Sequence, residues 1–198
     1  DLRAVKEWLQ EARNAGHHPG VMALTTAAAT AAKLGDVVSA EGFFAEAAAA
    51  PKGDDDSLDV AAYSAVVAAA AKAREIHKAE RWLCRAAAAG EKCQPNAYTY
   101  TSVGTAALLD ARRVLAWLDR ATFALGFAST QPLHNVFIQS SILLADLKGA
   151  EAGLSRLLSG GLRPDGFSFG PLLRGAERQG DSARSGEWCI RMDALGVQ

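Results

Sequence analysis

Apolar residues recur along this chain at steps of three and four, interrupted at regular distances by short clusters of Gly, Pro, Asp and Asn. Leu2, Val5, Trp8, Leu9 and Ala12 share one helical face, and the same spacing resumes near Val21, Val60, Ala97, Gln131 and Gly166. A 3.6-residue period predicts amphipathic helices, and no stretch alternates with the period of two that a half-buried strand needs. A lone helix is expected from Leu2 to Ala15, followed by first helices at about 21–33, 60–73, 97–109, 132–144 and 167–179, each with a partner after a turn of two or three residues. The turn signals stand where those partners should begin. In Gly35-Asp36, Ala145-Asp146 and Gly180-Asp181 the first residue ends one helix and the aspartate is placed to cap the next.

These helix pairs repeat. Gly161-Leu162-Arg163-Pro164-Asp165, Gly90 with Gln94-Pro95-Asn96, and Gly16-His17-His18-Pro19-Gly20 close three of them, and the small residues Ala40, Ala79, Ala116, Ala150 and Ser185 return near the same place in each. Self-similarity at a period of about 35 residues is the mark of an all-α solenoid of stacked antiparallel hairpins, because one hairpin cannot bury its apolar face alone. The divisions read as a half repeat over 1–20 and full repeats over 21–59, 60–96, 97–130, 131–165 and 166–198, together one helical-repeat domain. The apolar period begins at Leu2 with no targeting segment before it, so the chain is expected to be a fragment that starts inside a repeat. Between the first two full hairpins lies an irregular acidic loop with Asp54-Asp55-Asp56, read as solvated surface rather than as a cation site.

Composition narrows the core. The chain of 198 residues is 49% hydrophobic but only 7% aromatic, and alanine-rich stretches such as 27–32 and 45–50 favour helices whose backbones approach closely. No apolar run is long enough for a membrane-spanning helix. Cys84, Cys93 and Cys189 are odd in number and have no metal-ligand spacing, which argues against disulfides and zinc and for a reducing compartment. Cys84 and Cys189 are expected inside second helices and Cys93 in a loop. His17 and His18 read as turn residues, and His134 as a residue of a helix surface.

The residues Pro164-Asp165, Phe167, Phe169-Gly170, Gln179-Gly180-Asp181, Met192 and Leu195-Gly196 resemble a pentatricopeptide repeat, and the unit 131–165 matches the same pattern in length, with Asn135, Ala150 and Pro164-Asp165 in place. The resemblance covers essentially the whole chain. The tetratricopeptide repeat has a similar period, but its tryptophan belongs in the first helix, whereas Trp8, Trp82, Trp117 and Trp188 all fall in second helices, where they are expected to pack the core. The resemblance implies a right-handed α-solenoid that binds single-stranded RNA without catalysis, cofactor or small-molecule substrate. It also implies a mitochondrion or chloroplast as the place of work.

By the same resemblance, the fifth residue of each unit reads one base with help from the last residue of that unit, on a concave face lined by first helices. The pairs are Thr25 with Asp59, Ser64 with Asn96, Thr101 with Thr130, and Asn135 with Asp165, implying guanine, adenine, no defined base, and uracil. Gly170 has no side chain to read with. The second residues Met22, Tyr98, Pro132 and Phe167 are implied to clamp bases, while Ala61 adds little. Lys33, Lys72 and Arg178, near the ends of first helices, are implied to approach phosphate.

Charge changes this picture. The formal net charge is −1, against the basic stripe that backbone-driven RNA binding leads one to expect, and only the stretch 60–130 carries an excess of Lys and Arg. Lys78, Arg81 and Arg85 of that stretch fall on a second helix, away from the reading face. A protein-binding role as a subunit of a larger organellar complex is therefore the alternative to RNA binding. The segment Gly166-Phe167-Ser168-Phe169-Gly170 matches the G-x-S-x-G of hydrolases, but a Pro-Asp turn precedes it and no histidine follows it, so an enzyme is not expected.

Overall fold

The computed structural model describes residues 1–50 and 58–197, so the Asp54-Asp55-Asp56 cluster lies outside the described residues. Among the described residues there are eleven α-helices and no strand. They are α1 (Leu2–Asn14), α2 (Val21–Leu34), α3 (Val37–Ala49), α4 (Val60–Lys72), α5 (Ile76–Ala88), α6 (Ala97–Ala106), α7 (Ala111–Leu125), α8 (Gln131–Leu143), α9 (Leu147–Ser159), α10 (Gly166–Arg178) and α11 (Ser182–Leu195). The chain forms two compact units, 1–106 and 107–198.

Capping side chains set where the helices start. Asp36, Asp110, Asp146 and Asp181 each accept a hydrogen bond from the backbone N–H three residues on, at 2.9–3.0 Å, opening the second helices α3, α7, α9 and α11. Each such bond satisfies an orphan donor of the first turn and stabilises the helix start by about 1 kcal/mol. The residue before the cap must turn the chain back. Gly35 and Gly180 do so at φ 73° and 70°, but Arg74 and Ala145 are forced into the same left-handed region at φ 60° and 59°, where a Cβ is strained.

Counting four residues from the start of each second helix corrects the small-residue register. Ala40, Ala79 and Ala150 are fully buried at that position and Ser185 is half-buried, but in the unit 97–130 the position belongs to buried Val114, and Ala116 is exposed. Helix α6 stops at Ala106, three residues before the expected end, so a count carried over from the other units overshoots α7.

In the first unit α2, α4 and α6 lie side by side, with α3 and α5 packed on them. Phe44 of α3 meets Tyr63 and Trp82 edge-on with centroids 4.8 and 4.7 Å apart, and Trp82 donates its indole N–H to Glu41 at 2.8 Å. In the second unit α8 packs on α7, α9 and α10. Trp117 and Trp188 are buried, each seven residues into its second helix, and α9 has Gly153 at that place. A Cβ there would come within 2.9 Å of Phe137, so a phenylalanine from the first helix fills the space that a tryptophan from the second helix fills elsewhere. Trp8 departs from the expectation, being 70% exposed on α1.

Successive second helices are also tied by ion pairs, Arg13 to Glu46, Arg156 to Asp119 and Arg184 to Glu151. Such half-exposed pairs stabilise little and act mainly on register. The cysteines reverse their expected places: Cys84 and Cys189 are exposed, and Cys93 is buried in a 3-10 turn with its thiol donating to the carbonyl of Leu58 at 3.3 Å.

His134, expected on a helix surface, is fully buried instead. It occupies the fourth place of its repeat, where the other units have Leu24, Tyr63, Tyr100 and Phe169, all buried. Its ring packs on Phe127 at 4.9 Å, and neither ring nitrogen has a hydrogen-bond partner. Burial, with Arg156 adding to it and Asp119 opposing it, pushes the imidazole from 6.5 down to about 4.

Two stability predictions follow from these positions. The unfolded chain binds a proton at His134 below pH 6.5 and the folded chain only near 4, so stability is complete at neutral pH and falls as the pH drops through that window. Urea titrations at pH 7 and pH 5 should show that His134→Phe abolishes about 2 kcal/mol of the wild-type acid loss; an unchanged loss contradicts the buried neutral imidazole. Ala145→Gly should stabilise the fold by about 1 kcal/mol, and so raise the urea midpoint, since it relieves the left-handed Cβ.

Candidate nucleic-acid interface

Each unit carries one open groove across its first helices. In the first unit it measures about 790 Å³, and Ser64, Thr101, Asn96, Tyr98, Lys33 and Lys72 are among the residues lining it. In the second it measures about 900 Å³ and includes Asn135, Asp165, Gln139, Pro132, Phe167 and Arg174. The helical period explains the company each groove keeps. Positions two, five and nine of a first helix project to one side, whereas positions four and seven turn into the core.

The last residue of the repeat 131–165 does two jobs. Asp165 is the N-cap of α10, accepting from the backbone N–H of Ser168 at 3.0 Å, and its carboxylate also accepts from Asn135 Nδ2 at 3.1 Å. Ser168 completes a capping box with its hydroxyl and donates to Asn135 Oδ1 at 2.7 Å. Gln131 Nε2 reaches the same carboxylate at 3.3 Å. The Asn135 amide is thus held on both sides, by a carboxylate at its nitrogen and a hydroxyl at its oxygen. One N–H and one lone pair remain for a ligand.

The first unit repeats this design one atom longer. Asn96 caps α6 by accepting from the backbone N–H of Thr99 at 3.0 Å, and it accepts the Thr99 hydroxyl at 2.9 Å. Thr99 Oγ1 lies 2.9 Å from Ser64 Oγ. Either hydroxyl can be the donor in that contact, and in both arrangements Ser64 is held by Thr99 and keeps a lone pair toward the groove. Thr99 and Ser168, third in their repeats, link the expected pairs; the sequence marks neither for this, Ser168 standing out there only as the centre of a G-x-S-x-G match. A hydroxyl in the first turn of a helix is ordinarily a capping signal, and only the capping distance could have flagged it.

The remaining expected pairs are not joined in this way. Asp59 caps α4 through Ala61 and Ala62, and no hydrogen bond links it to Thr25, whose repeat partner position carries Ala62 in place of a hydroxyl residue. Thr130 is buried, and its hydroxyl donates to the carbonyl of Phe127 at 2.7 Å, which withdraws it from any ligand. The Thr101 hydroxyl donates to the carbonyl of Ala97. Met22, Tyr98 and Phe167 are 82%, 61% and 80% exposed, and Pro132 is exposed beside them. Each unit thus exposes two apolar side chains at the second position of its repeats. Lys33, Lys72 and Arg178 are exposed, and the Lys72 ammonium donates to the carbonyl of Lys33. Lys78 pairs with Glu75 and Arg85 lies over Trp82, both on α5 and off the groove.

No group of side chains among the described residues could hold a metal ion, and no helix is long and apolar enough to cross a membrane. No family model and no curated protein sequence matches the chain. Solved structures do match it. The crystal structure of the pentatricopeptide repeat protein PPR10 from maize superposes with a TM-score of 0.70 at 23% identity over 96% of this chain, which spans 26% of the maize protein. The pentatricopeptide-repeat domain of Arabidopsis thaliana protein-only RNase P 1, solved in complex with tRNA, superposes with a TM-score of 0.67 at 15% identity, covering 88% of this chain and 90% of that domain. The chain therefore has the all-α solenoid fold of pentatricopeptide-repeat proteins.

The shared hydroxyl is open to a direct check. Ser168→Ala removes one half of a capping box and the partner of Asn135 Oδ1, and it should lower stability by about 1 kcal/mol in chemical denaturation. Thr99→Ser keeps its hydroxyl and should cost clearly less than Thr99→Ala; equal losses from the two would show that the hydroxyl bonds contribute nothing.

Proposed function

We propose that this chain is a non-catalytic module that binds single-stranded RNA along its two grooves, one base for each reading position. The observation that carries this reading is the Asn135, Ser168 and Asp165 network. A half-exposed amide locked by two neighbours is pre-organised for hydrogen bonding, so little ordering is lost when a base arrives. The exposed Pro132 and Phe167 beside it, and Met22 and Tyr98 in the first unit, supply π or apolar faces for stacking, which binds any base. Lys33 and Lys72 line the first groove and Arg178 is exposed near the end of α10, a thin complement for phosphate that fits the net charge of −1 and leaves more of the affinity to stacking and edge contacts.

Base preferences follow from the protons. Ser64, held by Thr99, keeps a lone pair that suits the exocyclic amino group of adenine, the base that the family resemblance assigns to a serine with asparagine. Asn135 offers one donor and one acceptor side by side, which suits the N3–H and carbonyl of uracil, the base assigned to asparagine with aspartate. Both solved relatives in fold carry the same repeat name, and one of them was crystallised with an RNA. A mitochondrion or chloroplast is the compartment that the resemblance implies.

Protein binding within a larger complex is the second reading, and the exposed side chains of second helices favour it. Phe123 of α7, Val38 of α3 and Ile190 of α11 are 95%, 78% and 71% exposed, away from the grooves. RNA on the first helices and protein on the second are compatible.

Selection from a randomised single-stranded RNA pool tests the first reading. Enrichment of an ordered trace with adenine and, further along, uracil is expected, and Asn135→Ser should move the second preference from uracil while leaving the first in place. A pool that emerges unenriched at low salt contradicts RNA reading.

A further inference from the structure

The last repeat lacks a reading side chain at its fifth residue, Gly170, yet its groove is not empty there. The ninth residue of the same helix, Arg174, folds back one turn so that a Cβ built on Gly170 would lie 3.3 Å from its guanidinium nitrogen. Both residues stand beside Phe167, and Arg174 lines the groove that also holds Asn135. The guanidinium thus occupies the space that a fifth-position side chain would fill.

Positions five and nine vary together along the chain. Thr25 and Ser64 are followed by Ala29 and Ala68, Thr101 by Thr105, Asn135 by Gln139, and Gly170 by Arg174. Residues five and nine are one helical turn apart and share a face. Where the fifth residue is small and polar the ninth stays small, and where the fifth is absent the ninth becomes the longest side chain of the series. Arg174 is exposed and has no ion pair or hydrogen bond among the described residues, so its five donors are unspent. The helix is also locally unfavourable at this point, since Gly170 and Pro171 both weaken a helix interior. A conflict between local propensity and observed structure is expected where a site demands it.

We infer that Arg174, seated over Gly170, is the base-reading residue of the repeat 166–198 and takes a base edge that presents two adjacent acceptors. Guanine offers O6 with N7, and cytosine offers O2 with N3. Adenine places its amino group beside both ring acceptors, and uracil places N3–H between its carbonyls, so both leave the guanidinium fork mismatched. The specificity of the second groove then has two adjoining readers, Asn135 and Arg174, with Phe167 as the stacking face between them. This inference rests on the RNA reading of the groove.

The experiment is selection from the same randomised RNA pool with the wild-type chain, Arg174→Ala and Gly170→Asn, followed by affinity measurements across salt concentration. Wild type should enrich guanine or cytosine at the base adjoining the uracil, by about tenfold over adenine, and which of the two is enriched identifies the edge that is read. Arg174→Ala should erase that preference and keep the uracil. Gly170→Asn, whose new side chain must displace the guanidinium, should weaken it as well. Arg174→Ala that lowers affinity equally for all sequences and shallows the salt dependence by about one ion marks a phosphate contact and overturns the assignment. Retention of the guanine or cytosine preference by that variant also overturns it, while uracil selection survives as a separate result. A wild-type chain that enriches nothing overturns this inference together with the RNA reading.

Discussion

A polar residue at the end of two of the repeats carries two obligations. Asp165 and Asn96 must satisfy the orphan backbone donors of the helix that follows, and in doing so they come within hydrogen-bond reach, directly or through one hydroxyl, of a side chain in the helix one repeat earlier. A capping bond cannot be given up without destabilising the helix start. The groove side chain therefore inherits its orientation from secondary structure, and it is held before any ligand arrives. Much else in the grooves follows from this: the third-position hydroxyls Ser168 and Thr99 are buried because they bridge the cap and the groove side chain, and the second-position apolar residues are exposed because the same helix turns them the other way.

The packing beneath the grooves shows how a thin, alanine-rich core keeps such a frame. Where a second helix places Trp82 or Trp188 against the first helices, those helices are lined with Val66 or Leu172, and where it places Gly153, Phe137 moves in. Volume is conserved between the two layers rather than within either one. His134 is the exception in chemistry, though not in size. It fills a place that Tyr63, Tyr100 and Phe169 fill elsewhere, and it leaves two ring nitrogens without partners.

Much of the fold was legible because its signals are local. Apolar spacing placed the first helices within about three residues, and the Gly-Asp and Ala-Asp pairs marked the turns, since capping and left-handed closure depend on neighbours in sequence. Ala116 was misplaced because α6 ends early at Ala106, which no nearby residue announces. Trp8, Cys84, Cys93, Cys189 and His134 were misjudged because exposure depends on which helix lies opposite, a fact of tertiary packing. In the grooves, Thr25 with Asp59 and Thr101 with Thr130 are not joined, while the nearness of Asn135 to Asp165 and of Ser64 to Asn96 was legible through resemblance to a repeat family. Ser168 and Thr99 were not, because a first-turn hydroxyl reads as a cap alone, and Arg174 was not, because its place depends on the missing side chain of Gly170 one helical turn away.

The central claim is that the cap-held amide of Asn135 is the group that meets RNA, and its side-chain NH2 resonances report on it directly. In a 15N-edited NMR titration with a uracil-containing single-stranded RNA, the Asn135 Nδ2 signals should be sharp and shifted by Asp165 in the free protein and should move again on binding, while those of Asn14 on α1 stay in place. RNA that binds and leaves the Asn135 signals unmoved would contradict the account.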